Sequence, residues 1–200
     1  MSNIAIDGLH LAHKNFPNGG TCLEFGVYIG NSYLNTADTI ATFYPTSTLI
    51  GFDSWQGLPD ETEGVWAPDR HRKGEFQATK FIVKEKLRQA GFWKDPRFTF
   101  VDGFFSESLT PELQSSIQDL IYVNIDVDIH SSTVEVLDFI YPLLRPGVVI
   151  YFDDWKDPQD KFEGKWGEHL AWEEFTLKHP ELKYRTVAIN EYNQRYIEIE

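Results

Sequence analysis

Apolar runs of strand length alternate with helical periodicity along most of this 200-residue chain. The apolar runs predict five strands, at Thr21–Tyr28, Thr48–Ser54, Phe98–Gly103, Leu120–Asp126 and Val148–Asp153. The periodic segments predict five helices, at Ser32–Phe43, Phe76–Ala90, Pro111–Ile117, Ser132–Leu144 and Glu168–Leu177. Because strands joined through helices pair in parallel with right-handed crossovers, this order predicts a doubly wound α/β sheet.

The end of the chain has a different pattern. Two alternating runs, Arg185–Ile189 and Arg195–Ile199, are separated only by Asn190–Gln194. A connection this short joins antiparallel neighbours. We therefore predict a Rossmann-like, mostly parallel seven-stranded sheet with an antiparallel C-terminal hairpin. It would form one domain over residues 1–200, in which residues 1–20 are a short N-terminal segment.

Each of the five predicted parallel strands ends in acidic residues. One such acid is most simply explained as a helix cap or a solvated turn. Five together are improbable on that explanation, because the carboxyl ends of parallel strands share one edge of the sheet. Ligands of doubly wound folds bind in the crevice at that edge. The strand ends therefore predict an acidic ligand site.

The first strand leads into a turn with the pattern Glu-x-Gly-x-x-x-Gly, which differs from the dinucleotide fingerprint because Glu24 replaces its first glycine. A carboxylate suits a sulfonium or an ammonium better than a pyrophosphate. Asp53 can accept hydrogen bonds from a ribose, and Asp102 would then lie beside the adenine. The pattern predicts an adenosine-bearing cation, for which S-adenosylmethionine is the obvious candidate. Its predicted contacts are Glu24, Gly26, Gly30, Asn31, Ser32, Asp53, Ser54, Asp102 and Gly103.

A metal site is predicted beside this cofactor. Asp126 and the pair Asp153–Asp154 end strands that we expect to be neighbours, roughly 4.8 Å apart. Carboxylates so close repel one another unless a cation lies between them, and their oxygens suit Mg²⁺, with Ca²⁺ or Mn²⁺ as alternatives. Such an ion would activate an acceptor hydroxyl. Asp126 is the predicted proton acceptor, and His130 is the predicted catalytic residue next to the metal.

Composition excludes several other classes of function. With 18 Lys+Arg against 31 Asp+Glu the formal net charge is −13, which repels a nucleic-acid backbone. One cysteine allows no intramolecular disulfide. The first residues lack a signal-peptide pattern, and no apolar run approaches the roughly 20 residues that span a bilayer. We therefore expect a cytoplasmic protein without a membrane partner.

The same residues resemble the macrocin O-methyltransferase family, whose better-known members methylate sugar or phenolic hydroxyls of antibiotics. The resemblance runs from about Cys22 to the end of the chain. The matching stretches are Leu23–Val27, Asp53–Pro59, Lys73–Phe76, Asp102–Phe105, Asp126–Thr133, Phe152–Asp154 and Gly167–Glu168. The resemblance implies a class I methyltransferase fold, a cofactor site at Glu24, Gly26 and Asp53, and Mg²⁺ ligands at Asp126, Asp153 and Asp154. It implies methyl transfer from S-adenosylmethionine to a hydroxyl of a small molecule.

The chain departs from the family pattern at two points, and it also contains one long loop. The family usually has an aromatic residue where this chain has His130, and its antibiotic-tailoring members carry N-terminal helices that help to close the acceptor site. Residues 1–20 are all that precede the first strand, so either the acceptor is larger or a second subunit of a homo-oligomer supplies the missing wall. The long segment 56–75 is predicted to be a lid. The alternative functions are an NAD-dependent oxidoreductase and a catalytically inactive S-adenosylmethionine-binding protein.

Overall fold

The computed structural model describes residues 3–61, 72–155 and 167–200. Its sheet has seven strands, β1 (Thr21–Phe25), β2 (Thr48–Asp53), β3 (Phe98–Asp102), β4 (Leu120–Ile125), β5 (Val149–Phe152), β6 (Tyr184–Ile189) and β7 (Arg195–Ile199). Their order is β3-β2-β1-β4-β5-β7-β6. The first five strands are parallel, and β7 runs antiparallel to both β5 and β6. The predicted fold class is confirmed.

The described residues form seven α-helices, of which all but the first lie between strands: α1 (Ile4–Asn15), α2 (Asn31–Phe43), α3 (Lys80–Gln89), α4 (Phe105–Ser108), α5 (Pro111–Ser116), α6 (His130–Ile140) and α7 (Gly167–Lys178). The helix predicted from Phe76 begins later, at Lys80, because Gly74 and Phe76 both have positive φ angles, which a right-handed helix does not allow. The helix predicted to reach Leu144 ends at Ile140. A 3₁₀ turn that contains Pro142 follows it.

Helix α1 was not predicted. The side chain of Asn3 caps it by accepting hydrogen bonds from the backbone N–H groups of Ala5 and Ile6. The helix packs on the sheet, and a Cβ at Gly8 would lie 3.3 Å from the Tyr196 ring. A glycine is unfavourable inside a helix, but here it lets the helix backbone approach the sheet closely. The N-terminal segment is therefore part of the core.

The strand order reverses between β1 and β4, which is the switch point where a ligand crevice forms. Backbone hydrogen bonds continue past the strand ends here: Gly26 N–H donates to Phe52, Asp126 N–H to Phe25 and Asp153 N–H to Ile125. The turns after β1, β4 and β5 consequently leave the sheet at one level. Every residue of β4 is buried, so the sheet beneath these turns is covered on both faces.

No helix among the described residues is both long enough and apolar enough to cross a membrane.

Candidate functional site

The turn after β1 has a backbone shape that depends on glycine. Gly26 has a φ of 84°, and a Cβ there would lie 1.7 Å from the carbonyl oxygen of Asp126. Gly30 has a φ of 77° and precedes the first residue of α2. These left-handed conformations are costly for other residues. Gly26 therefore lets the turn lie directly against the turn after β4, whereas Gly30 lets it lie against α3, where a Cβ would be 2.7 Å from Val83.

Asp53, at the end of β2, fixes this turn from the neighbouring strand. Its Oδ2 accepts the backbone N–H groups of Val27 at 2.9 Å and Tyr28 at 2.8 Å, and its Oδ1 accepts that of Trp55 at 2.7 Å. Burial raises the pKa of the Asp53 carboxyl, and these hydrogen bonds act in the opposite direction. The predicted ribose acceptor thus also organises the backbone that would surround the cofactor.

Glu24 and Ser32 form a pair below this turn. The Ser32 hydroxyl donates to Oε1 of Glu24 at 2.7 Å, and Glu24 is completely buried. Burial raises the pKa of Glu24 to about 8. Neither residue lines the cavity described below. The geometry therefore gives Glu24 a place beneath the cofactor turn, whereas sequence reasoning placed it against a cationic ligand.

Three other predicted cofactor contacts, Gly30, Asn31 and Asp102, also lie outside the cavity, and the side chains of the last two have partners of their own. Asn31 accepts a hydrogen bond from Lys86 Nζ of α3 at 2.5 Å. Asp102 accepts hydrogen bonds from Trp55 Nε1 at 2.9 Å and from Lys80 Nζ at 2.5 Å. Interaction with the Lys80 ammonium and the Trp55 indole outweighs the effect of burial and lowers the pKa of Asp102.

The three predicted metal ligands do come together. Asp126, Asp153 and Asp154 each offer a carboxylate oxygen, and these oxygens lie within 4.8 Å of one another. Burial, reinforced by the neighbouring carboxylates, raises the pKa of Asp126 and Asp154 well above the usual range of an aspartate. Tyr151 and Gln194 both donate hydrogen bonds to Oδ1 of Asp153, the latter at 2.6 Å. Oxygen atoms at this spacing are suitable for a divalent cation.

One cavity of about 630 Å³ connects the two halves of the site. Its walls include Gly26, Asp53, Ser54 and Gly103 from the predicted cofactor side, and all three clustered aspartates from the predicted metal side. Cofactor and metal residues that the sequence treats as separate groups therefore face the same space.

His130 does not line this cavity. It is the first residue of α6, it is buried, and its Nε2 lies 2.8 Å from a carboxylate oxygen of Glu174 on α7. The side chain therefore connects two helices behind the site. The direct catalytic role predicted for His130 has no support in this geometry.

Sequence reasoning missed several residues of the site. Asp128 lines the cavity in a left-handed conformation, with a φ of 63°, and Glu135 of α6 lines it as well. Glu168 bonds to the turns that carry the aspartates. A strained non-glycine residue next to a ligand cluster is a signal of function, but only a structure reveals it.

The segment predicted to be a lid is described only at its two ends, since residues 62–71 lie outside the described part of the chain. Leu58 N–H donates to Glu75 and Gly74 N–H donates to Leu58, both at 2.9 Å, so the two ends pair. Glu61 accepts the backbone N–H of Ser131 at 3.1 Å. Pro59 and Asp60 line the cavity. The position suits a lid, and closure stays a prediction.

Comparison with known families gives a match across this site. The family described as macrocin-O-methyltransferase (TylF) matches residues 11–166, which include both the cofactor turn and the aspartate cluster.

Two curated relatives come from Streptomyces. The demethyldecarbamoylnovobiocin O-methyltransferase of Streptomyces niveus is 29% identical over 158 residues, which are 73% of this chain and 59% of that protein. The 8-demethyl-8-(2,3-dimethoxy-alpha-L-rhamnosyl)-tetracenomycin-C 4'-O-methyltransferase of Streptomyces olivaceus is 25% identical over 159 residues, which are 74% of this chain and 59% of that protein. The chain thus spans about three-fifths of the length of either relative.

Among solved structures, the O-methyltransferase NovP superposes with a TM-score of 0.77 at 22% sequence identity, covering 97% of this chain and 78% of NovP. At this identity the similarity establishes the fold.

Proposed function

Since this chain belongs to the macrocin O-methyltransferase family, we propose that it transfers the methyl group of S-adenosylmethionine to a hydroxyl of a small molecule, with a divalent cation at the aspartate cluster. The acceptor hydroxyl belongs to a sugar-linked or phenolic compound. The sugar-linked alternative is supported by the name of the Streptomyces olivaceus relative, which includes a rhamnosyl group.

The shared cavity is the observation that carries this proposal. A methyl donor at the glycine turn and an acceptor oxygen at the aspartate cluster would occupy one space of about 630 Å³. Methyl transfer needs the acceptor oxygen in line with the carbon–sulfur bond that breaks, and holding both reactants in one site supplies much of the rate enhancement. Separate pockets for these two groups of residues would have argued against methyl transfer.

The residues present fit a divalent cation. The cluster offers only carboxylate oxygens, which Mg²⁺ prefers to nitrogen or sulfur. The described residues of the cavity wall contribute acids and no Lys, Arg or His. Burial first, and the neighbouring carboxylates second, raise the pKa of Asp126 and Asp154, and no described base on this wall offsets their negative charge. When bound, the ion would lower the pKa of the acceptor hydroxyl and stabilise the oxyanion.

Other residues of the cavity bind the cofactor, accept the proton and contact the acceptor. Gly26 lines the cavity and would present its backbone to the cofactor. Asp53 holds the turn, and its remaining lone pairs would accept hydrogen bonds from a ribose. Asp126 accepts the proton of the acceptor hydroxyl. Tyr28 and Phe76 line the cavity edge to face, with ring centroids 5.6 Å apart, and both are partly exposed. They form an apolar wall against which the body of the acceptor packs.

Binding and melting experiments test the proposal without a known acceptor. S-adenosylhomocysteine should bind in calorimetry, whereas NAD should not. Mg²⁺ should raise the melting temperature of the wild type relative to EDTA, because a ligand that binds only the folded state stabilises it. Asp153→Asn and Asp154→Asn should lose this gain and change the affinity for S-adenosylhomocysteine less than tenfold.

The matched control is Asp138→Asn. Asp138 is an exposed residue of α6 that pairs with Lys178 at 2.9 Å, and its variant should respond to Mg²⁺ like the wild type. A wild type whose melting ignores EDTA would refute the metal assignment. Preferential binding of NAD would favour the oxidoreductase alternative. Binding of S-adenosylhomocysteine without turnover on any sugar-linked or phenolic acceptor would favour an inactive binding protein.

A further inference from the structure

One buried carboxylate joins the two turns that carry the aspartate cluster. Glu168 is the second residue of α7, and its side chain is completely buried. Its Oε1 accepts the backbone N–H of Val127 at 3.2 Å, and its Oε2 accepts that of Asp154 at 3.0 Å. Val127 follows Asp126 directly, so each oxygen of Glu168 holds one of the two turns.

The position of Glu168 is itself fixed by packing. Gly167 has a φ of 51°, and a Cβ there would lie 2.6 Å from the carbonyl oxygen of Asp128, so the first turn of α7 lies against the turn after β4. Further along α7, Trp172 and Phe175 are buried in the hydrophobic core. The helix therefore cannot shift without disturbing the core, and the Glu168 carboxylate has a defined location.

The two hydrogen bonds span the gap between β4 and β5. The turn after β4 provides Asp126, and the turn after β5 provides Asp153 and Asp154. A glutamate that accepts one N–H from each turn sets the separation of the ligands on the two strands. Its oxygens are engaged by backbone groups, which distinguishes it from the clustered aspartates.

We propose that Glu168 is a positioning residue that holds Asp126 and Asp154 at the spacing a divalent cation requires. This inference rests on the metal site of the proposed function. Groups that orient metal ligands in this way typically contribute 10- to 100-fold to metal affinity. Glu168 lies beyond residues 11–166, to which the family match extends, and the resemblance at Gly167–Glu168 implies no role for it.

Two variants of Glu168 distinguish a positioning role from a role of its negative charge alone. Glu168→Asp keeps the negative charge, but its shorter side chain cannot reach both N–H groups. Glu168→Gln keeps the length and loses the charge together with one acceptor. The control is Glu173→Gln on the same helix, where Glu173 pairs with His169 at 3.3 Å. The apparent dissociation constant for Mg²⁺ is measured by calorimetry on EDTA-treated protein, alongside the affinity for S-adenosylhomocysteine.

Positioning predicts that both Glu168 variants bind Mg²⁺ at least tenfold more weakly, as expected for the loss of such a group. Affinity for S-adenosylhomocysteine should change less than threefold, and Glu173→Gln should match the wild type. In metal-free protein, hydrogen exchange at one or both of the Val127 and Asp154 amides should be faster in each Glu168 variant, whereas exchange in β1 should not change. The exchange measurement does not depend on any metal.

Several results would overturn the inference. Wild-type affinity for Mg²⁺ in Glu168→Asp would mean that Glu168 acts through its charge alone. Unchanged Mg²⁺ affinity in both variants, together with lowered melting temperatures, would mean that it only stabilises the fold. A wild type that binds no Mg²⁺ removes the metal site and this role with it, and that result is visible before any variant is examined.

Discussion

Glu24 is expected to be a neutral side chain in the ligand-free protein near neutral pH, and its replacement by glutamine tests this. Burial raises the pKa of Glu24 to about 8, from 4.5. Two buried oxygens near it, Oε2 of Glu24 and Oδ1 of Asn124, have no hydrogen-bond partner in the described part of the chain. The interaction with Asn124 lowers the pKa of Glu24 and so opposes the larger effect of burial. A proton on Oε2 removes the cost of burying a charge there.

The sign of the effect follows from linkage. A folded-state pKa above the unfolded value means that the folded protein binds the extra proton. The stabilisation is complete below the unfolded pKa of 4.5 and is lost as the pH rises towards the folded value of about 8. Inside this window the slope is about 1.4 kcal/mol per pH unit. Between pH 5.5 and pH 7.5 the contribution of Glu24 to the free energy of unfolding should fall by about 2.7 kcal/mol.

Urea unfolding in EDTA at several pH values measures this contribution. Glu24→Gln carries a neutral side chain of the same shape, whose oxygen still accepts from Ser32, so it should lack the slope. The variant should match the wild type below pH 4.5, exceed its stability by about 1.4 kcal/mol at pH 5.5 and exceed it by about 4 kcal/mol at pH 7.5. Glu112→Gln, an exposed substitution on α5, should behave like the wild type. Parallel pH profiles for wild type and Glu24→Gln would refute the argument.

Two further predictions concern the turns and the N-terminal helix. In urea unfolding, Gly26→Ala should destabilise the protein by several kcal/mol more than Gly74→Ala. Both positions have similar positive φ angles, but only a Cβ at Gly26 meets the Asp126 carbonyl. Equal losses of stability in the two variants would contradict the steric argument. Burial lowers the pKa of His13, whose ring nitrogens form hydrogen bonds with Leu9 O and Ser47 Oγ. The free energy of unfolding should therefore fall as the pH drops below about 6.5, because the unfolded chain then binds a proton that the folded protein does not. His13→Gln should weaken this pH dependence in the same urea assay. If His13→Gln loses stability at acid pH as much as the wild type does, His13 is not the source of this dependence.

The strands and the aspartate cluster could be predicted because both depend on short-range patterns. Apolar runs locate parallel strands, and parallel strands deliver their ends to one edge. The meeting of Asp126 with Asp153 follows from the pairing of β4 with β5, which the element order already favours. No side-chain geometry was needed for this step.

The rest of the site depends on tertiary contacts that have no local signal. Helix α1 was missed because Gly8 weakens its helical pattern, and the reason for that glycine is a contact with Tyr196, far along the chain. His130 is next to the aspartates in sequence, but packing turns its imidazole towards Glu174 on α7. Asp126 and His130 are therefore close in sequence but lie in different surroundings, because α6 packs on α7.

The carboxylates around the cavity divide into two roles that the sequence alone does not separate. Asp53 and Glu168 accept backbone N–H groups and so shape the turns after β1, β4 and β5. The side chains of Asp126 and Asp154, by contrast, accept no hydrogen bond from the described part of the chain, which leaves their oxygens available inside the cavity. An acid with both oxygens occupied by backbone amides is poorly placed to coordinate an ion, whereas a buried acid without such partners is costly unless an ion or a proton neutralises it. The partners of each carboxylate, more than its position at a strand end, therefore decide which acids build the site and which ones act in it.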